Sequence, residues 1–303
     1  MCNRLADQLA ELGFSNLEFL GQGLEFTVFR AEPGDGGGPV AIRVGERRFD
    51  SNVNDPWVDT GALLRQEYRL IRLLRDHGLP VAEPVDLILA DTPDEPDILV
   101  SRYVEDDGSA LDCFHLGGVL ARLHTIEPTG PDLIAAERLP PPDLVVNRTL
   151  RRWNEIGRLR EGWPRPPAAA RLLPIAAPLN RCCLLHLDVR RANIRCHEGT
   201  TAALLDWSNA LRADPVLEFG RLTEFARLPD NQLDLPALRA GYAVHAEPPP
   251  HAAPITLLCQ LDAAVMLALV FLSESPDPAV AEGAVSRVLE LGEQLDRCVG
   301  TGW

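Results

Sequence analysis

The sequence predicts a two-lobed α+β fold: a small antiparallel-sheet N-lobe over residues 1–104 and a larger, mainly helical C-lobe over residues 105–303. Three observations predict it. Up to residue 104, short runs alternate apolar and polar residues around glycine-containing turns, the period of half-buried strands. From residue 105 onward the apolar residues recur at helical spacing, in segments set apart by proline-rich stretches such as Pro248-Pro-Pro250. Finally, 303 residues with 46% hydrophobic content suffice to bury two cores in a globular enzyme.

In the N-terminal part, residues 5–12 read as a short amphipathic helix. Phe14 to Phe19 then leads into Leu20-Gly21-Gln-Gly23-Leu24-Glu-Phe26-Thr27-Val28-Phe29, a strand, a turn and a second strand, as a hairpin requires. Pro39-Val-Ala-Ile-Arg43-Val44 is the next strand. A helix follows from Thr60 to His77, with Leu63, Leu64, Tyr68, Ile71 and Leu74 on one face and Gly78 as its left-handed end. Glu67 sits mid-helix between Arg65 and Arg69, which would make a solvated face if Glu67 has no other partner. Val85 to Leu89 and Ile98 to Val104 read as strands joined by an acidic, proline-containing turn.

The C-terminal part opens with a helix, Leu116-Gly-Gly-Val-Leu-Ala-Arg-Leu-His124, whose His124 is read as a hydrogen-bonded structural residue. Pro140-Pro-Pro142 predicts a loop between helices. Helical segments follow over Arg148 to Gly162 and Ala168 to Leu179, and then over 216–228, 236–244, 254–273 and 278–298. Arg151, Arg152, Arg158 and Arg160 are read as a solvated helix face, the alternative being contact with an anionic substrate or partner. The apolar segment Ile255 to Leu272 contains Gln260 and Asp262, which fits a buried helix better than a membrane span.

The chemistry concentrates in Leu184-Leu-His186-Leu-Asp188-Val-Arg-Arg-Ala-Asn193-Ile194, followed by Leu204-Leu-Asp206-Trp207. This is H-x-D-x-x-x-x-N on a loop, then an aspartate closing a short apolar strand. A phosphoryl-transfer site needs a carboxylate to orient an attacking hydroxyl, and an amide oxygen with a second carboxylate to hold Mg²⁺ on nucleotide phosphates. Asp188, Asn193 and Asp206 supply these parts in that order.

The segment resembles the catalytic loop of the aminoglycoside phosphotransferase family, which is similar in fold to the protein kinases. That family commonly shows H-G-D-x-x-x-x-N, an apolar strand ending in D-W or D-F, and a D-P-x-x-D-L-like segment. This chain has His186-Leu-Asp188, Asn193, Asp206-Trp207 and Asp214-Pro-Val-Leu-Glu218-Phe219. Leu187 stands where glycine is usual and Glu218 where aspartate is usual; neither departure removes a catalytic group.

The resemblance implies a protein-kinase-like fold, with ATP and Mg²⁺ as cofactors. Asn193 and Asp206 would hold the metal, Asp188 would receive a hydrogen bond from the acceptor hydroxyl, and His186 would brace the loop. Arg190 would stabilise the transferring phosphoryl group or else contact substrate or solvent. Val-Ala-Ile-Arg43 mirrors the kinase V-A-I-K, so Arg43 would steady nucleotide phosphates with Glu67 as its partner; the alternative is a surface arginine on a strand edge. Gly21 and Gly23 would let backbone N–H groups approach phosphate oxygens, the alternative being a plain hairpin turn. Ser101 to Val104 fall at the inter-lobe hinge, with Ser101 and Tyr103 as adenine-site contributors.

Composition narrows the partners. A net charge of −15 argues against nucleic-acid binding and would suit a cationic acceptor, although an acidic proteome produces the same value. All 29 basic residues are arginine, which suggests a GC-rich source. Seven scattered cysteines, Cys182-Cys183 among them, show no zinc spacing, and the N-terminus from Met1 lacks an apolar signal core, so no membrane association and a cytoplasmic location are expected. The acceptor is expected to be a small hydroxylated molecule, an antibiotic or a metabolite. The alternatives are a precursor peptide phosphorylated on Ser or Thr with a lyase partner, or a nucleotide-binding pseudokinase. Carboxylates clustered near the C-terminus would favour an aminoglycoside; Glu290, Glu293 and Asp296, with Trp303 beyond, suggest this or an exposed helix face.

Overall fold

A computed structural model describes residues 2–45, 49–50, 52–55, 58–90, 92, 95–127, 133–181 and 183–299. Met1, Cys182, Trp303 and part of the acidic turn before Ile98 lie outside the described residues.

The chain begins with α1 (Cys2–Glu11), β1 (Phe14–Gln22), β2 (Phe26–Pro33), β3 (Val40–Gly45), the two-residue strands β4 (Phe49–Asp50) and β5 (Val58–Asp59), α2 (Thr60–Asp76), β6 (Pro84–Ile88) and β7 (Ile98–Arg102). Five strands form an antiparallel sheet in the order β1-β2-β3-β7-β6. Alternation along β3 and β7 sends Val40, Ile42, Val44, Ile98 and Val100 to a core under α1, while Leu99 packs with Phe26, Leu63 and Leu64 beneath α2. Asp59 caps α2 by accepting the Ala62 N–H at 2.9 Å, and Gly78 ends it at φ +68°.

The larger lobe comprises α3 (Cys113–Leu123), α4 (Pro141–Leu159), α5 (Ala169–Ala176), β8 (Cys183–Leu185), β9 (Ile194–His197), β10 (Thr200–Leu204), β11 (Leu211–Ala213), α6 (Pro215–Phe225), α7 (Leu235–Ala243), α8 (Pro254–Leu269) and α9 (Pro278–Val299). β9 and β10 form a hairpin, and β8 pairs with β11, so the loop between β8 and β9 is fixed at both ends. α8 is mostly apolar and buried along nearly all its length because the C-lobe core surrounds it; it closes with one turn of π-helix, Val270–Glu274. α3 and α7 cross backbone to backbone: a Cβ at Gly117 would lie 1.9 Å from the Leu238 carbonyl oxygen, and one at Gly241 would lie 1.8 Å from that of Phe114.

Two expectations need correction. Pro141 and Pro142 do not form a loop but open α4, since a helix's first turn has no N–H to lose and proline's φ already suits it. Nor is the arginine-rich face of α4 simply solvated. Arg158 is exposed, but Arg152 is only 3% exposed and the neighbouring Arg148 only 5%. On α9 the exposed carboxylates Glu290 and Glu293 meet Arg287 and Arg297 at 3.4 and 3.7 Å, and the less exposed Asp296 meets Arg171 at 3.7 Å.

Candidate active site

Arg43 lies on β3 opposite Val28 of β2 and Leu99 of β7, and this register turns its side chain toward α2 over the Phe26 ring, 4.1 Å from its centroid. Its guanidinium donates to Glu67 Oε2 at 2.5 Å, to Asp206 Oδ1 at 2.8 Å and to Ser208 Oγ at 3.1 Å. Glu67 is thus the partner of Arg43 and not part of a solvated face. One planar fork joins the sheet, α2 and the strand end after β10, a span that a single ammonium would not cover. Burial pushes the Glu67 carboxyl up to about 7 against the pull of Arg43. Burial would also raise Asp206, but the Arg43 guanidinium outweighs it and holds this carboxyl down at about 2. Asp206 itself adopts φ +64°, tolerable for an aspartate, and its Oδ1 also accepts the Ser208 N–H at 3.3 Å.

The loop between β8 and β9 is held from below by Glu218 of α6, whose carboxylate accepts the N–H groups of His186 at 2.7 Å and Leu187 at 2.9 Å. Asp214 caps α6 through the Val216 N–H and Pro215 occupies its first turn, so the D-P-x-x-E segment starts the helix and aims the glutamate inward. His124, at the C-terminal cap of α3, approaches Glu218 at 3.7 Å and bonds the Tyr242 hydroxyl at 3.0 Å, the structural role expected of it. Burial opposes ionisation of Glu218, yet the nearby histidines and loop N–H bonds hold its carboxyl below the usual range. Leu187 adopts φ +61°, which accounts for the glycine usual at this position.

His186 is fully buried and braces the loop: its Nε2 pairs with the Leu205 carbonyl at 3.0 Å and its Nδ1 accepts the Asp188 N–H at 3.1 Å. The Asp188 carboxylate accepts from Asn193 Nδ2 at 2.7 Å and from Arg190 Nε at 3.1 Å. Arg190 therefore faces Asp188 itself. Asn193 Nδ2 also donates to the Asp188 carbonyl at 3.0 Å; both neighbours are acceptors, which fixes the amide with Oδ1 turned away from them. Asn193 and Asp206 are tied together by the Leu205 N–H, which donates to the Asn193 carbonyl at 2.8 Å.

The sequence-predicted residues thus fall into two adjoining groups, Arg43–Glu67–Asp206 and His186–Asp188–Arg190–Asn193, joined through Leu205. Hard divalent cations take oxygen ligands. Asn193 Oδ1 and Asp206 Oδ2, the oxygens left by these bonds, are the donors that could hold such an ion, and their chemistry suits Mg²⁺.

Gly21 pairs with Val28 in the β1–β2 ladder, and the Gly23 N–H closes the turn on the Phe26 carbonyl at 2.8 Å. Neither has positive φ, and a Cβ would meet nothing at Gly21 and only the Phe26 oxygen at 3.8 Å at Gly23, so the turn itself does not demand glycine at either position. At the hinge, Ser101 is paired with Ala41 and Pro84 within the sheet, while the Tyr103 N–H is taken by the Pro39 carbonyl at 3.0 Å and its ring lies under Arg30.

Several site residues carried no sequence signal strong enough to find them. Gln66 ties α2 to the Trp207 carbonyl at 3.1 Å, and Arg191 clamps Asp106 beyond the hinge with bonds of 2.7 and 2.9 Å. Arg221, one turn beyond Glu218, donates to the Leu187 carbonyl at 2.8 Å. Only its helical spacing from Glu218 hinted at a shared target.

The chain matches the model of the phosphotransferase enzyme family over residues 16–254. Among curated protein sequences none matches. Among solved structures it is similar to macrolide 2′-phosphotransferase MphH from Brachybacterium faecium, with 21% identity, a TM-score of 0.56, and coverage of 94% of this chain and 98% of that one. It is also similar to a thermostable mutant of aminoglycoside phosphotransferase APH(4)-Ia in ternary complex with ADP and hygromycin B, with 17% identity, a TM-score of 0.59, and 98% and 99% coverage. ADP-bound aminoglycoside phosphotransferase APH(2″)-Ib gives 13% identity and a TM-score of 0.59, covering 98% of this chain and 99% of that one. With the kinase-like lobes and a family match spanning most of its length, the chain belongs to the phosphotransferase enzyme family.

Proposed function

We propose that this phosphotransferase moves the γ-phosphoryl group of ATP to a hydroxyl of a small molecule, with Asp188 as the residue that receives the acceptor. The observation that carries the reading is the anchoring of Asp188. Its backbone N–H is held by His186, its carboxylate by Asn193 and Arg190, and its loop by the buried Glu218. Bonds this numerous fix a carboxylate in one orientation, which is what positioning an attacking hydroxyl requires.

The acceptor oxygen forms a bond to the γ-phosphorus while the bond from that phosphorus to the β,γ-bridging oxygen breaks, and ADP leaves with the electron pair. The hydroxyl proton passes to Asp188, which acts mainly by alignment because the transition state is loose. Mg²⁺, when bound through Asn193 and Asp206, supplies positive charge to the phosphate oxygens. Arg43, oriented by Glu67, adds fixed positive charge on the nucleotide side, and the turn that carries Gly21 and Gly23 would cover the phosphates, although its Gly23 N–H is already held by the Phe26 carbonyl. Ser101 and Tyr103 line the adenine end at the junction of residues 1–104 with 105–303. The apolar helix α8 is buried within the C-lobe core, which favours a core helix over a membrane span.

The test is transfer of γ-labelled phosphate from ATP into a size-fractionated extract of the source organism, wild type against Asp188→Asn. Label in the small-molecule fraction that requires Asp188 supports the reading. Asp188-dependent label in a peptide fraction replaces it with a peptide kinase acting ahead of a lyase, and no Asp188-dependent label points to a nucleotide-binding module. Asp206→Ala should weaken Mg²⁺–nucleotide binding; unchanged binding would remove Asp206 from the metal site.

A further inference from the structure

Three arginines are buried beside the catalytic loop around a single buried carboxylate. Arg148 and Arg152 come from α4, Arg221 from α6 and Asp262 from α8, each 5% exposed or less. Arg148 holds Asp262 with two bonds of 2.6 and 2.5 Å, and the Thr149 hydroxyl adds one at 3.4 Å. Arg152 and Arg221 reach the same carboxylate only at 3.6 and 3.8 Å, beyond hydrogen-bonding distance. Among the described residues, Nε and Nη1 of Arg152 and Nε of Arg221 have no hydrogen-bond partner. Burial and the neighbouring guanidinium of Arg148 pull Arg221 down to about 10, as expected of cations crowded without enough anions. Buried charge that is only partly compensated costs several kcal/mol, so packing alone does not account for the cluster.

Its position says what it serves. Arg221 donates to the carbonyl of Leu187, one residue before Asp188, and the Asp188 carboxylate acts on it electrostatically. At the other end Arg152 meets Asp55 at 3.5 Å. Asp55 belongs to the N-lobe turn 52–55, which crosses onto the C-lobe: Asn54 donates to Glu274 twice at 2.9 Å and its carbonyl accepts from Arg151 at 3.2 Å. The Asp55 side chain is 46% exposed, and its charge also reaches Glu25 in the glycine-bearing turn. The cluster therefore runs from Asp188 to the half-exposed Asp55 of the N-lobe turn.

We infer that the acceptor carries an anionic group, a carboxylate or a phosphate, that binds Arg152 and Arg221 beside Asp188, displacing Asp55 from Arg152. This assignment rests on the phosphotransferase reading above. It runs against the cationic acceptor that the net charge of −15 would favour, because contact chemistry in a buried site outweighs a screened surface field. A charged hydrogen bond to the Arg152 guanidinium, which meets Asp55 and Asp262 only at 3.5 and 3.6 Å, is the strong kind, and it discriminates against an acceptor lacking the anion.

The experiment measures thermal unfolding and ADP release of the full chain with saturating Mg²⁺–nucleotide at constant ionic strength. The added acceptors are a hexose, its 6-phosphate, the corresponding hexuronate, and a cationic aminocyclitol. The expected result is a KM at least about tenfold lower for the phosphate or the hexuronate than for the hexose, about 1.4 kcal/mol, with a matching rise in Tm. Arg152→Gln should erase the preference, Arg152→Lys should restore part of it, and Asp55→Asn, on an exposed side chain, should strengthen it. A preference for the neutral or cationic acceptor, or no preference among them, overturns the inference. So does an anion preference unchanged in both Asp55→Asn and a folded Arg152→Gln. Absence of any Tm rise on adding Mg²⁺–nucleotide alone sinks the phosphotransferase reading itself, and this inference with it.

Discussion

Glu218 accepts the backbone N–H of Leu187 at 2.9 Å and so holds a leucine at φ +61°, in the region that favours glycine. The left-handed conformation costs an L-residue about 1–2 kcal/mol. Leu187 offsets this by burial: it is 1% exposed and packs in the C-lobe core with Leu185, Leu211 and Val216. Deleting such a side chain typically costs about 2–5 kcal/mol, so Leu187→Gly should be a net loss even though glycine suits the backbone. The expected outcome is a lower midpoint in urea unfolding with phosphoryl transfer largely retained. A variant more stable than wild type would mean that strain, and not packing, dominates at this position.

Arg43→Lys tests whether the fork matters. The guanidinium serves Glu67, Asp206 and Ser208 at once, and an ammonium at the end of a flexible stem does not reproduce that span. Losing one charge-assisted bond of about 1.5–3 kcal/mol predicts a fall of roughly 10- to 100-fold in kcat/KM for the nucleotide. Steady-state kinetics at varied ATP checks it, and unchanged turnover would show that charge alone suffices.

Glu67 gives the protein a pH signature. Its carboxyl rises from an ordinary 4.5 to about 7, with burial as the main cause. A folded value above the unfolded one means that the native state holds the proton longer. That contribution to stability is complete below 4.5 and is lost as pH rises through about 7. At 1.36 kcal/mol per pH unit the loss is at most about 3 kcal/mol. Urea midpoints of wild type should therefore fall relative to Glu67→Gln between about pH 5 and pH 8. Parallel profiles for the two proteins would show that Arg43 keeps Glu67 ionised throughout.

The parts of this architecture legible in the sequence are those that depend on near neighbours. The helical face of α2, the D-P start of α6 and the apolar α8 follow from spacing of a few residues, and so does the order Asp188, Asn193, Asp206. The prolines opening α4 were legible but ambiguous, since the same residue ends one element and begins another. Long-range contacts were not legible. Arg43 meets Asp206 across 163 positions, Asn54 meets Glu274 across 220, and Arg148 meets Asp262 across 114. Asp262 did stand out as a lone carboxylate in an apolar helix. Nothing local, however, indicated that its partners were arginines on α4, because periodicity reports which face of a helix is buried and not what it is buried against.

The Arg148–Asp262 pair joins α4 to α8 inside the C-lobe, and its removal should be severe. Asp262→Asn leaves Arg148, Arg152 and Arg221 without a buried anion, and breaking one partner of a buried pair typically costs about 3–5 kcal/mol. Arg148→Met in the wild-type background strands the carboxylate less completely, because Arg152 at 3.6 Å and Arg221 at 3.8 Å still approach Asp262. The order of severity should therefore be Asp262→Asn above Arg148→Met. The double variant removes one cation from the set that Asp262→Asn strands, so it should be less destabilised than the sum of the two, by about 1–3 kcal/mol of coupling. Urea unfolding of the four proteins measures this directly. Additive losses would mean that apolar packing between α4 and α8 joins the helices without help from the ion pair, and that the arginines answer to something other than Asp262.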